Sequence, residues 1–387
     1  MGESRRAFTA DEDVKLRTHI GGQALIEGIM MRGRYNWAVA VREPDGNIYT
    51  EEHDLASGKE KNRWMYWPIV RGCRAFVESL ALGYKALNIS SEHAYDWDED
   101  EDGDGNAAGK GASDVTPATA AMAGAPSTAM LSDEEGEVEP DDEKDAGLGP
   151  LMTISMVVGL VLGIVIFVVV PAALSNLILG EAQMNSVAWN VLDGVLRVAI
   201  FIAYIWLISL MKDIHRMFEY HGAEHKTIHC YEHGQALTPE NAASFPRLHV
   251  RCGTAFMIMV MIIAIFVYTA FGPAINSLVD MTGIMEGPAR FALIIATRII
   301  LLPVIAGVSY EITVRWAGQH PDNLLVRIVL WPGMQMQRLT TKTPDEGMLE
   351  CAIAAMELVL AREELEEKKK RESLEQTETP GAVPAGA

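Results

Sequence analysis

The stretch LMTISMVVGLVLGIVIFVVVPAAL, Leu151–Leu174, contains 24 residues and no charged side chain. An α-helix rises about 1.5 Å per residue, so roughly 20 apolar residues cross the hydrocarbon core of a bilayer. This stretch therefore predicts a transmembrane helix. A second uncharged run of similar length, Gly253–Ile275, predicts another.

Two further candidate spans, Val187–Met211 and Phe291–Val314, contain charged residues. These are Asp193 and Arg197 in the first, and Arg298 and Glu311 in the second. Charges within a span are costly and usually face the bundle interior or a polar cavity. For Asp193 and Arg197, snorkelling towards the membrane edge is an equally good interpretation. The four spans predict a mainly α-helical integral membrane protein.

The distribution of basic residues predicts the orientation of the spans. The connections Ser175–Ser186 and Asn276–Ala289 contain no Lys or Arg, whereas Lys212–Arg251 contains five. Cytoplasmic loops carry an excess of Lys and Arg. Both termini and the connection 212–252 are therefore predicted to be cytoplasmic.

The connection 212–252 contains the run His221-Gly222-Ala223-Glu224-His225, followed by His229 and His233. On a helix, a spacing of four residues places side chains on one face. The first five residues also match H-x-x-E-H, in which two histidines bind zinc and a carboxylate acts as a base. We predict a divalent metal, zinc by ligand type, bound by His221 and His225, with Glu224 as the general base. The alternative is a polar helix whose histidines face water, and solvent exposure is favoured for His229, Cys230 and His233.

Other residues are predicted to complete the metal site, either Glu311 or His249 together with Cys252. The topology brings them to the same cytoplasmic interface, provided that the helix of the second span continues past Met211 into the histidine run. Each has an alternative role: His249 can cap a loop, Cys252 can pack as a small apolar residue, and Glu311 can pair with Arg315 one helical turn away.

The remaining sequence predicts smaller units around the membrane domain. In Trp37–Arg42 and Asn47–Glu52, alternation around a Pro-Asp-Gly turn indicates a β-hairpin. The predicted organisation is a flexible N-terminus (1–18), a small cytoplasmic β element (19–62), an amphipathic interfacial helix (63–94), a disordered acidic insert (95–149), a four-helix membrane domain (150–315) with spans at about 151–174, 187–211, 253–275 and 291–314, C-terminal cytoplasmic helices (316–372) and a disordered tail (373–387).

Composition excludes several classes of protein. The net charge is −20, but 17 acidic residues and only two lysines lie between Asp96 and Asp145, so the rest of the chain is nearly neutral. The four cysteines are far apart, which does not fit a disulfide framework. The glycine-dense segment Gly21–Gly33 matches neither a P-loop nor a dinucleotide fingerprint. No nucleic-acid partner is predicted, and the charged N-terminus lacks the apolar core of a signal peptide.

Several motifs resemble the bacterial YqhQ-like membrane proteins, a group described as predicted metal-dependent enzymes. The motifs are GGQALIEGIMMRGR, RGCRAFVESLALGYKAL, FEYHGAEHKTIHCYE, RLHVRCGTAF and GVSYEITVR, which run in order from residue 21 to about residue 360 without the acidic insert. Where the family usually has H-P-R-C-G, this chain has Val250 in place of the proline and keeps His249 and Cys252. The resemblance implies a multi-pass protein of the bacterial inner membrane with a metal cofactor.

Two functional hypotheses follow. The first is a zinc-type hydrolase at the cytoplasmic face of the bilayer, where lipid head groups or membrane peptides are natural substrates. The second is a non-catalytic metal-binding scaffold, sensor or transport component. A structural assembly factor with incidental histidines is a third possibility. The substrate, the identity of the metal and the oligomeric state stay open at this point.

Overall fold

The computed structural model describes residues 16, 18–55, 67–95, 150–180, 184, 186–249, 252–283, 287–317 and 323–378. The acidic insert predicted for 95–149 lies outside these residues except for Tyr95, as does most of the predicted flexible N-terminus. Of the tail predicted for 373–387, residues 373–378 continue the last helix and the rest lies outside the described part.

The N-terminal unit is a four-stranded antiparallel sheet in which each strand pairs with the next. Its strands are β1 (Gly21–Leu25), β2 (Gly28–Arg32), β3 (Asn36–Arg42) and β4 (Ile48–Asp54). The predicted hairpin is β3–β4, and the glycine-dense segment supplies the other two strands. All five residues of β2 are buried. A strand covered on both faces shows no polar alternation, so the sequence pattern did not reveal it.

The described residues also form ten α-helices and two π-helical segments. The helices are α1 (Val70–His93), α2 (Pro150–Ile164), α3 (Val170–Leu179), α4 (Val187–Ile208), α5 (Lys212–Glu232), α6 (Pro239–Ala243), α7 (Gly253–Asp280), α8 (Gly287–Tyr310), α9 (Leu324–Thr340) and α10 (Glu346–Glu378). The π segment Val165–Val169 joins α2 to α3, and the π segment Glu311–Ala317 extends α8.

The sheet lies between α1 and α10, and each of its faces is apolar. One face contributes Leu25 and Val39 to a core shared with α1, α4 and α5. The other contributes Met31 and Ala38 to a core shared with α5 and α10. Because α5 contributes to both cores and packs against β1, it is enclosed by the sheet and the helices around it rather than exposed at their edge.

Four helical segments are long and apolar enough to cross a membrane: Val157–Leu179, Val187–Ile208, Phe256–Asp280 and Gly287–Thr313. The mainly helical fold with a small N-terminal antiparallel sheet is confirmed at this level, and each segment overlaps one predicted span. Large apolar side chains such as Leu160, Leu177 and Phe266 are exposed along them. Exposed apolar rows of this kind are typical of surfaces that face lipid.

Two helix boundaries differ from the sequence prediction. The second span does not continue into the histidine run, because the chain turns at Ser209–Met211 and Met211 adopts an extended conformation before α5 begins. The sequence Asn323–Trp331 predicts a short interfacial helix that Pro332-Gly333 would end, but the helix α9 continues to Thr340. The residues after Pro332, including Met334 and Met336, are buried, so tertiary packing overrides the local proline effect.

Candidate metal centre

Helix α5 carries the histidine run and is buried around most of its circumference. His225 and His229 are 1% and 0% exposed, and His221 is half-buried. The sequence favoured solvent exposure for His229 and Cys230, and this prediction is wrong because the loop 244–249 and helix α10 cover this end of α5.

Three of the predicted ligands come together. One ligand atom each from His221, His225 and Cys252 lie within 4.8 Å of one another. The two histidines are one turn apart on α5, whereas Cys252 occupies the N-cap position of α7. The break at Ser209–Met211 allows α5 to fold back beside the start of the next span, which places the thiol opposite the imidazoles.

In both histidines, Nδ1 points away from the group and is hydrogen-bonded to a backbone carbonyl. Nδ1 of His221 donates to the Thr340 oxygen at 2.8 Å, and Nδ1 of His225 donates to the Arg247 oxygen at 2.6 Å. Because a carbonyl only accepts, each ring carries its proton on Nδ1 and presents the Nε2 lone pair to the group. Nε2 of His221 lies 3.1 Å from Sγ of Cys252.

The predicted ligand His249 belongs to a second group, with His229 and Glu232. All three side chains are buried, and their ligand atoms also lie within 4.8 Å of one another. Nε2 of His229 donates to the Leu248 carbonyl at 3.0 Å, so its Nδ1 carries the lone pair. Gln337 holds the backbone of His249 on both sides, accepting from its N–H at 2.9 Å and donating to its oxygen at 2.7 Å.

The two groups adjoin through their imidazole rings. Ring centroids lie 4.4 Å apart for His221 and His225, 5.8 Å for His225 and His249, and 4.5 Å for His229 and His249. Burial lowers the pKa of His225 and of His229, and neighbouring histidines lower it further. Both rings are therefore neutral at neutral pH, which is the form that binds metal.

The loop after α6 is fixed to α5 by side chains of the helix. Nζ of Lys226 donates to the carbonyls of Ala243 and Phe245 at 2.7 and 2.5 Å. The carbonyls of Arg247 and Leu248 accept from the two histidines described above. Lysine and histidine thus satisfy the last carbonyl of α6 and three carbonyls of the irregular loop that follows it, and this orients the rings.

Glu224 is buried beside the first group and faces β1. The backbone N–H of Gly22 donates to its carboxylate. A Cβ at Gly22 would lie 2.7 Å from Cδ of Glu224, so a larger residue here would displace the carboxylate. Burial raises the pKa of the Glu224 carboxyl to about 7, although the His221 ring and the Gly22 N–H both act to lower it.

Glu311 belongs to neither group. Its carboxylate accepts from Nε and Nη2 of Arg71 at 2.8 and 2.5 Å, and from the N–H of Ile69 at 3.3 Å. It therefore joins the start of α1 to the π segment that follows α8. The partner predicted by sequence spacing was Arg315, whose side chain lies outside the described residues.

The sequence analysis did not identify Glu232 as a candidate ligand. The spacing His229-x-x-Glu232 places both residues on one helix face and could have indicated it. No sequence pattern points to Thr340 or Gln337, which lie about 90 residues or more from the histidines that they hold. Their roles depend on the packing of α9 against α7, a long-range contact.

Asp193 and Arg197 of the second candidate span meet Arg298 of the fourth inside the helix bundle. Oδ2 of Asp193 accepts from Arg197 at 2.9 Å and from Arg298 at 2.5 Å. The guanidinium of Arg298 also lies over the rings of Trp189 and Tyr268, at 4.6 and 4.4 Å. The alternative of snorkelling does not hold for Asp193 and Arg197, which are 1% and 6% exposed.

Comparison with known proteins gives one family and one relative. The family described as "Protein of unknown function (DUF1385)" matches residues 67–362, more than half of the chain. The "Uncharacterized protein YqhQ" of Bacillus subtilis (strain 168) is 28% identical over 355 residues, covering 91% of this chain and 96% of the relative. No solved structure matches. Both groups of candidate ligands lie within the matched region, and the chain belongs to the DUF1385 family.

Proposed function

We propose that the protein is a metal-dependent membrane enzyme, a zinc-type hydrolase whose metal is held by His221, His225 and Cys252. The observation that supports it most directly is the orientation of the two imidazoles. Both donate through Nδ1 to a backbone carbonyl and direct Nε2 towards one thiol. Three protein ligands leave the fourth position of a tetrahedral zinc ion for water or substrate.

The residues fit a metal by an independent criterion. Nε2 of His225 is buried and lacks a hydrogen bond of regular geometry within the described part of the chain, although the Cys252 thiol is close enough to raise the pKa of the ring. A buried polar atom without a hydrogen bond costs roughly 1–3 kcal/mol, and a metal ion would remove that cost. A zinc ion held by His221, His225 and Cys252 would supply a Lewis acid and would lower the pKa of a bound water molecule.

Glu224 is the proposed general base. The Gly22 N–H orients its carboxylate, and its burial beside His221 keeps it out of bulk water. In this role Glu224 takes a proton from the attacking water and delivers it to the leaving group. No other carboxylate among the described residues lies next to His225 in the chain.

The substrate is proposed to be a lipid head group or a membrane peptide. Cys252 directly precedes the span Phe256–Asp280, and α5 follows the span Val187–Ile208 after a three-residue turn. The site therefore lies where two span helices end. The positive-inside rule assigns this end to the cytoplasmic face of the inner membrane.

The metal site is tested with Co²⁺, which occupies zinc sites and gives a thiolate-to-metal absorption when sulfur is a ligand. The purified full-length protein in detergent should show this absorption with about one equivalent bound at the thiol. The H221A/H225A double variant and C252S should lose it. The control H215A removes an exposed histidine of the same helix and should leave it unchanged. A full thiolate signal in H221A/H225A would exclude this site.

Catalysis is tested separately in vesicles of phosphatidylethanolamine and phosphatidylglycerol. Lipid hydrolysis products are followed by mass spectrometry, with the zinc-loaded protein and its E224Q variant. We expect E224Q to keep its metal and to lose product formation by about 100-fold or more, the usual contribution of a general base. Equal turnover by both proteins would remove Glu224 from the mechanism.

A non-catalytic metal-binding scaffold, sensor or transport component is the second candidate. The observation that favours it is burial, since His225 and Cys252 are only 1% and 4% exposed. Metal binding without turnover of lipids or membrane peptides, with E224Q equal to the parent protein in every assay, would support this alternative.

A further inference from the structure

We propose that His229, Glu232 and His249 form a second divalent-cation site, adjacent to the first. The three ligand atoms lie within 4.8 Å of one another, and the side chains are between 0% and 3% exposed. The site itself is inferred from these residues alone. Its participation in catalysis rests on the proposed function.

The spacing of the polar atoms favours a cation over a hydrogen-bonded core. Nε2 of His249 and Oε2 of Glu232 are 3.5 Å apart, beyond the usual 2.7–3.2 Å range of an N–H···O bond. Nδ1 of His229 is buried and makes no hydrogen bond among residues that the structure describes. A cation bound by this group would give the Nδ1 atom of His229 a partner and would lie beside the carboxylate of Glu232 and the ring of His249.

The ligands are held in place from outside the group. The Leu248 carbonyl fixes the ring of His229, and Gln337 fixes the backbone of His249 on both sides. The N–H of Thr18 donates to Oε1 of Glu232 at 3.2 Å, while Oε2 faces His249. Outer contacts of this kind orient metal ligands, and their removal typically weakens binding by about 10- to 100-fold.

The chemistry of the two ligand sets differs. The first set contains a thiolate and is the softer one, which suits Zn²⁺. The second consists of two imidazoles and a carboxylate, a combination that binds Fe²⁺, Mn²⁺ or Zn²⁺ and leaves coordination positions open. The second site should therefore accept Mn²⁺ much more readily than the first.

The adjacency of the two ligand groups favours a phosphate ester as the substrate. His249 lies between the two groups, with its ring near both His225 and His229. Paired divalent cations are typical of enzymes that cleave phosphate esters, because the attacking and the leaving oxygen each meet a positive charge. Among the substrates considered above, a phospholipid head group fits this arrangement, and a membrane peptide fits it less well.

The test is a Co²⁺ titration of metal-free, full-length protein in detergent, followed by elemental analysis. The parent protein should bind about two equivalents, of which one gives the thiolate absorption. E232Q and H229A should each bind about one and keep the thiolate absorption. C252S should also bind about one but lack that absorption. The control H233A removes a partly exposed histidine at the same end of the helix, whose Nδ1 bonds to the backbone carbonyl of His229. This variant should still bind about two equivalents.

The outcomes separate this proposal from the first one. One equivalent in the parent protein, with the thiolate absorption, would overturn the second site and leave the first intact. Two equivalents in both E232Q and H229A would also overturn it. If the parent protein binds one equivalent without the thiolate absorption, and E232Q does not bind it, the second site is supported and the first site is excluded. Because C252S leaves the second ligand set unaltered, its single equivalent tests the proposal even where E232Q does not fold.

Discussion

At the scale of single residues, Gly222 shows how closely the candidate centre is packed. A Cβ at this position would lie 2.0 Å from the carbonyl oxygen of Lys342, which is backbone and cannot rotate away. The same contact region includes the hydrogen bond from the Lys342 N–H to the Phe218 carbonyl at 2.7 Å. The glycine therefore allows α5 to approach the end of α9 closely enough for His221 to bond with Thr340.

The substitution G222A should push α5 away from residues 340–342. We expect a loss of about 1–3 kcal/mol of unfolding free energy, the usual cost of overpacking. Metal affinity at the thiol group should fall as well, because His221 loses its carbonyl partner. Thermal unfolding in detergent and Co²⁺ titration measure the two effects. The control G163A adds a methyl group where no atom lies within 4 Å, and it should not weaken either property.

At the scale of elements, the helices and strands that can be predicted from the sequence are those encoded by a local pattern of residues. The uncharged runs that predict the first and third spans correspond to long apolar helices, because length and composition alone determine that property. Strand β2 escaped prediction because it is buried on both faces. The His221–His225 pair follows from helical spacing, whereas the positions of Cys252 and Glu311 depend on how separate helices pack.

Glu311 illustrates the difference. Helical spacing predicted an ion pair with Arg315, and the topology predicted a place in the metal site. The carboxylate of Glu311 instead pairs with Arg71 of α1. The ion pair is bidentate and partly exposed, with side chains 17% and 25% exposed. Its role in this structure is to attach α1 to the end of α8.

The variant E311Q should therefore leave the metal content unchanged. Its unfolding free energy should fall by no more than about 1 kcal/mol, since partly exposed ion pairs are worth little. Elemental analysis and thermal unfolding of the purified protein provide the measurement. Loss of a bound metal equivalent in E311Q, without unfolding, would instead place Glu311 among the ligands.

At the scale of the whole molecule, a buried group of charges connects the span helices. Asp193 of α4 pairs with Arg298 of α8, and the guanidinium groups of Arg298 and Arg197 lie over the ring of Tyr268 of α7. The carboxylate is shared with Arg197 of its own helix. Removing one partner from such a group leaves a charge buried without compensation.

We expect D193N to destabilise the bundle by about 3–5 kcal/mol, because two guanidinium groups lose their shared anion. Thermal unfolding in detergent measures the loss. The control D280N removes the partner of Arg290, in an ion pair whose acid is 44% exposed, and should have a small effect. Equal stability of D193N and the parent protein would show that the arginines find compensation elsewhere.

The contacts of α5 also have a consequence for biosynthesis. Glu224 accepts a hydrogen bond from the N–H of Gly22, a residue near the beginning of the chain. His221 donates to the carbonyl of Thr340, a residue near the end of the chain. A ribosome makes the chain from the N-terminus, so the histidines emerge long before the residues that orient them. The centre becomes complete only after α9 has been synthesised and docked, and α10 then packs over α5. If the proposed metal binds, its loading would thus report that the chain has been made and folded as far as α9, and a chain truncated before Thr340 would lack the carbonyl that orients His221.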